Sequence, residues 1–225
     1  MKVCIFLGAC IISLFLFGEV PLAADPSRDT SGLHFQAGLD AAHKEQWSVA
    51  IAEFSAVIDS REDAASLCAA HINRGRAKLL SDDLEGSIAD FNAALSVSPN
   101  SAEALTWRAS YWAAKGDKTK AIADCTQAIA IDPKWAPAYV RRGTALGSLK
   151  QYVQANEDFS VALKIKSDDI SALVGRGLAR EQLSDIAGAI ADIDKALVID
   201  PSLARVKVVR ERLGSKLNPS GLTSR

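Results

Sequence analysis

Residues 87–95 read SIADFNAAL, and close variants return as AIADCTQAI at 121–129, QANEDFSVAL at 154–163 and AIADIDKAL at 189–197. Aligned residues such as Ser87, Ala121, Ala155 and Ala189 lie thirty-four positions apart. So regular an interval marks one structural unit written several times. Working outward from the echo, units start at Cys68, Ala102, Ala136 and Ile170. A divergent earlier copy starts at Ser31, displaced by three extra residues around SREDAAS (60–66).

Each unit repeats a pattern of residue sizes. The eighth position is small: Gly38, Gly75, Ala109, Gly143, Gly177. So is the twentieth (Ala50, Ser87, Ala121, Ala155, Ala189), and so mostly is the twenty-seventh (Val57, Ala94, Ala128, Ala162, Ala196). The twenty-fourth is mostly large and apolar: Phe54, Phe91, Cys125, Phe159, Ile193. Two antiparallel helices of about fourteen residues, roughly 21 Å each, explain all four rows. Small residues let the backbones approach, and the larger one fills the space beside them. Pro99, Pro133 and Pro201 stop the second helix, because proline lacks an amide hydrogen and clashes with the preceding turn. One hairpin cannot bury its apolar face alone, so the copies must stack.

With proline at the thirty-second position, these rows resemble the tetratricopeptide repeat family over residues 31–203. Ser167 in place of the closing proline and Glu62 in the first copy depart from the pattern. The resemblance implies an all-α, right-handed helical solenoid of about five stacked helix pairs. The segment ARVKVVRERLGSKL (204–217) places Val206, Val209, Leu213 and Leu217 on one stripe, with Lys207, Arg210 and Arg212 outside it. It reads as a helix capping the last apolar face; a basic amphipathic helix lying on a membrane is the rival reading. Residues 218–225 read as a tail.

Family members often carry leucine at the seventh position, where this chain has Arg74, Arg108, Arg142 and Arg176. The twenty-third position carries Asp90, Asp124, Asp158 and Asp192; in the first copy the two become Ala37 and Glu53. The recurrence predicts a structural ladder of guanidinium–carboxylate pairs, with bidentate geometry favouring arginine over lysine. The rival reading is two separate solvated faces.

The chain of 225 residues carries 26 Lys and Arg against 27 Asp and Glu, a net charge of −1. No global basic field draws it to nucleic acid. At the N-terminus Met1-Lys2 precedes the uncharged run VCIFLGACIISLFLFG (3–18), followed by EVPLAADP. This order predicts a signal peptide over residues 1–24, a short linker over 25–30, and an exported chain, periplasmic or secreted. An uncleaved membrane anchor is one alternative. LGAC (7–10) also resembles a lipoprotein cleavage box, but cleavage before Cys10 would leave IISLFLF on the mature chain. Of the remaining cysteines, Cys125 stands where its sister units carry apolar residues and reads as a small buried hydrophobe.

Function is expected on the concave face, which the resemblance builds from the first helix of each unit. The carried-over positions give Phe35, Gln36 and Leu39; Ile72, Asn73 and Arg76; Glu103, Thr106, Trp107 and Ser110. They continue with Val140, Arg141 and Thr144, then Val174, Leu178, Glu181 and Gln182. Asn73, Arg76, Trp107, Ser110, Arg141 and Thr144 are the candidate peptide-binding residues. A tryptophan beside arginines has the composition of a binding hot spot, and the arginines suit an acidic segment. Trp112 is read as a core aromatic, Trp47 as turn packing and Trp135 as a unit junction. Some relatives grip a terminal carboxylate with lysine, asparagine and arginine at defined positions. Here only one residue matches in either frame, so that clamp is absent.

His34, His43 and His71 have no metal-ligand spacing, and no phosphate loop, GxSxG or HExxH occurs. No enzyme, cofactor or metal site is expected. The reading is an exported scaffold that binds a protein or peptide segment in its groove, without nucleic acid, touching a membrane only if the N-terminal segment is retained. The alternative is a structural or self-associating component of an envelope assembly.

Overall fold

A computed structural model describes residues 26–60 and 63–217. The expected signal peptide and tail lie outside the described residues. Among the described residues eleven helices follow one another: α1 (Pro26–His43), α2 (Trp47–Asp59), α3 (Ala64–Leu80), α4 (Leu84–Val97), α5 (Ala102–Ala114) and α6 (Lys118–Ile131). Then come α7 (Ala136–Ser148), α8 (Tyr152–Ile165), α9 (Ile170–Gln182), α10 (Ile186–Ile199) and α11 (Ala204–Leu217). Among the described residues there is no strand, and no helix is long and apolar enough to cross a membrane. The architecture is the all-helical solenoid that the repeat spacing requires. α1 begins at Pro26, so residues read as linker form its first turn. The extra residues before the second unit lengthen α3 to 17 residues, and Asp63 caps it by accepting from the Ala65 and Ser66 amides at 2.9 and 3.1 Å.

The size rows pack as their chemistry demands. Phe54, Phe91 and Ile193 are buried, and each lies against the small eighth residue of its own unit. A Cβ placed on Gly38 would come within 2.7 Å of the Phe54 ring, and one on Gly75 within 2.8 Å of Phe91. The turn inside every hairpin is one structure used five times. Its fifteenth residue takes positive φ in Glu45, Asp82, Gly116, Lys150 and Ser184 (56°, 68°, 84°, 62° and 66°). The next amide then reaches back to the carbonyl five residues earlier in the Schellman pattern, as Asp83 does to Lys78 at 2.8 Å. Only Gly116 adopts this conformation without a Cβ penalty.

Each helix packs on its neighbours in sequence, and the first helices of successive units (α3, α5, α7, α9) also touch one another. They therefore form the inner curve of the stack. α11 occupies the place of a sixth first helix, burying Val206 and Leu213 against α10. Its eighth position is Glu211, exposed and charged where the other first helices offer glycine or alanine.

Candidate functional site

The seventh and twenty-third positions meet. Arg108 donates from Nε and Nη2 to the two Asp124 oxygens, both at 2.8 Å. Arg142 does the same to Asp158 at 2.8 and 2.7 Å, and Arg176 to Asp192 at 2.8 and 2.6 Å. Arg74 meets Asp90 at 2.7–3.2 Å. The four carboxylates are buried.

Two further rows belong to this network and were missed in the sequence. The third nitrogen of each guanidinium reaches the twenty-fifth residue of the preceding unit: Ser55, Asn92, Thr126 and Ser160, at 2.9–3.3 Å. The recurring hydroxyl or amide at that position was the available signal. α11 continues the row, with Arg210 donating to Asp194. The eleventh position adds a second donor to three of the carboxylates. Lys78 pairs with Asp90 at 2.8 Å, Trp112 donates to Asp124 at 3.1 Å, and Arg180 reaches Asp192 at 2.8 Å. Trp112 is therefore a half-buried donor with Lys120 4.4 Å from its ring centroid, rather than a plain core aromatic. The fourth unit has Leu146 at this position, so among the described residues Asp158 is held by Arg142 alone.

The candidate groove residues divide. Trp107 is half-buried against Cys68, Ile72, Ala94 and Ala104. The guanidinium carbons of Arg76 and Arg141 lie 5.3 and 4.5 Å from its ring centroid, within cation–π reach. Neither arginine forms a hydrogen bond or ion pair among the described residues, and Arg141 Nε is buried without an acceptor. Burial pushes the Arg141 pKa down, and the Arg76 charge adds to that push. Glu103 keeps one side in solvent, yet surrounding protein desolvates its carboxyl and raises its pKa against the opposing Arg76 charge. Two like charges thus share one indole without a hydrogen-bonded acceptor, and Glu103 is the opposing charge beside Arg76.

Arg141 also lines a cleft of about 340 Å³ with Ser110, Lys118 and Thr144. Asn73 stands outside this set, its amide donating to the Ala69 carbonyl of its own helix at 2.9 Å. Three positions expected on the open groove are buried instead. Ile72 joins the core beside Trp107. Thr106 accepts from Trp135 Nε1 at 3.1 Å, which also explains Trp135 at its unit junction. Glu181 is covered by α11, whose Arg212 and Lys216 bind it at 2.6 and 2.7 Å. Cys68 and Cys125 are free thiols, and burial pushes Cys125 up to about 12.

Comparison with known proteins places this geometry. A family model described as tetratricopeptide repeat matches residues 72–136. The chain is 30% identical to the TPR domain of Arabidopsis OM64 at a TM-score of 0.50, covering 95% of that domain and 51% of itself. The chain belongs to the tetratricopeptide repeat family. A thermophilic TPR protein of Thermus thermophilus superposes at a TM-score of 0.69 with 15% identity, over 81% of this chain and 98% of that one. The first TPR of Spaghetti (RPAP3), bound to an HSP90 peptide of sequence SRMEEVD, matches with 22% identity and a TM-score of 0.51. That match covers 52% of this TPR chain and 94% of the other. No sequence among the curated proteins matches. The TPR fold is that of a protein–protein interaction scaffold.

Proposed function

We propose that this TPR protein is an exported scaffold that holds a segment of a partner protein in its concave groove, through Trp107, Arg76 and Arg141. One observation carries the reading: two guanidiniums without acceptors flank a half-buried indole on first helices of successive units. Guanidinium donors left without acceptors in a partly desolvated place favour an anionic ligand group. The peptide on the RPAP3 domain is itself rich in carboxylates, which supports an acidic segment here, held by other residues.

The test is capture of the partner by crosslinking in intact cells expressing either the native chain or a Trp107→Ala, Arg141→Ala variant. The reading expects the crosslinked species to vanish while the circular dichroism spectrum is retained. Undiminished crosslinking in the variant refutes the site. Export is tested separately by mass spectrometry of the mature N-terminus, expected near Asp25; a chain beginning at Met1 contradicts it.

A further inference from the structure

The groove continues past Arg141. A second cleft of about 400 Å³ opens between α7 and α9, floored by Phe159 of α8 and walled by Gly143, Gly147, Gly175 and Leu178. Thr144 and Ser148 of α7 line both clefts, so the two adjoin across one helix. Two glycines distinguish the slot from its sisters. At the sixth position, where other units carry Gln36, Asn73, Trp107 and Arg141, this unit has Gly175. A Cβ there would lie 2.4 Å from the Phe159 ring, so the ring comes up beneath the bare backbone. At the twelfth position of the preceding unit stands Gly147, where an added Cβ meets nothing closer than Ala155 Cβ at 4.0 Å. That site is open space rather than a packing requirement. Glycine in a helix interior is unfavourable, and its absence of side chain here leaves an apolar recess facing the groove.

We infer that the groove reads two features of one extended segment: a carboxylate on the Arg76–Trp107–Arg141 side of α7, and a large apolar side chain in the glycine slot on the other. The inference rests on the groove reading proposed above and adds the partner's chemistry. Charge complementarity selects the first group, because Arg141 and Lys118 outnumber the single carboxylate, Asp169, in that cleft's lining. Tyr152 is the one ionisable residue in the second lining, so that slot selects an uncharged group. Arg141 and Gly147 are six residues apart on α7, about 9 Å along its axis, so an extended peptide needs at least about three residues to span them.

The experiment uses the native chain and fluorescent Gly-Ser peptides carrying one glutamate, one phenylalanine, or both at varied separations. The pair at a separation of about three residues is expected to bind at least about tenfold more tightly than the glutamate peptide, as burial of an aromatic side chain supplies. Gly147→Leu fills the slot while improving helix propensity, so it keeps the fold. It should abolish the phenylalanine gain and leave glutamate-only binding unchanged. Arg76→Ala with Arg141→Ala should weaken both peptides. No phenylalanine gain, or a gain that survives Gly147→Leu, overturns the slot and leaves the groove reading standing. Binding indifferent to the arginine changes, or no binding by any peptide, overturns both.

Discussion

The ladder predicts unequal losses from chemically identical substitutions. Arg142→Ala removes the one donor pair that Asp158 has among the described residues, stranding a carboxylate whose side chain is 8% exposed. Breaking a buried pair by deleting one partner costs about 3–5 kcal/mol. In Arg108→Ala, Asp124 keeps the Trp112 donor; in Arg74→Ala, Asp90 keeps Lys78 and His71; in Arg176→Ala, Asp192 keeps Arg180. Those three should lose about 1.5–3 kcal/mol, the scale of a hydrogen bond to a charged group. For a chain of this size each kcal/mol lowers Tm by about 2–4 °C, so Arg142→Ala should melt about 6–20 °C below the native protein. Urea unfolding followed by far-UV circular dichroism measures all four variants. A double-mutant cycle of Arg142→Ala with Asp158→Ala isolates the pair, with an expected coupling above about 1 kcal/mol. Equal losses at the four rungs, or a coupling within about 0.5 kcal/mol of zero, would show that these charges are merely solvated neighbours.

Three other outcomes are expected. Burial acts to raise the Asp90 pKa, but bonds from Arg74, Lys78 and His71 outweigh it and hold the carboxyl below its usual range. Its stabilising contribution is therefore complete above the unfolded value near pH 4 and is lost as pH falls through the lower folded value; Asp90→Asn should flatten the decline of urea midpoints in that acid range. Arg212→Ala with Lys216→Ala strands Glu181, whose side chain is 3% exposed, and should speed amide hydrogen exchange in α11 while leaving α3–α6 unchanged. Cys125, buried and raised to about 12, should resist maleimide at about pH 8 until denaturant is added; rapid labelling of the native protein contradicts the packing.

The fold was legible because its determinants are steric and periodic. Gly75 against Phe91 and Gly177 against Ile193 are sizes, and sizes recur at thirty-four residues whatever the partner. The cap was legible for the same reason, from Val206 and Leu213 on one stripe. The site was legible in part, since exposure depends on helix rotation and on what lies above. Ile72 and Thr106 turn inward by a fraction of a turn. Glu181 looks groove-facing until α11 is laid across it, a contact 31 residues distant in the chain. The second donors at the eleventh position hid behind their variety: lysine, tryptophan, leucine and arginine share no type, only a location. The glycine slot hid because an absent side chain has no pattern of its own.

The third nitrogen of each ladder arginine changes how the stack behaves as a body. Because it grips the hairpin before its own, no hairpin can loosen without tugging its predecessor. The row resembles a zip more than a string of beads. A guest settling at one point along the inner curve is met by a backbone already braced on both sides, so its arrival need not freeze a wobbling wall.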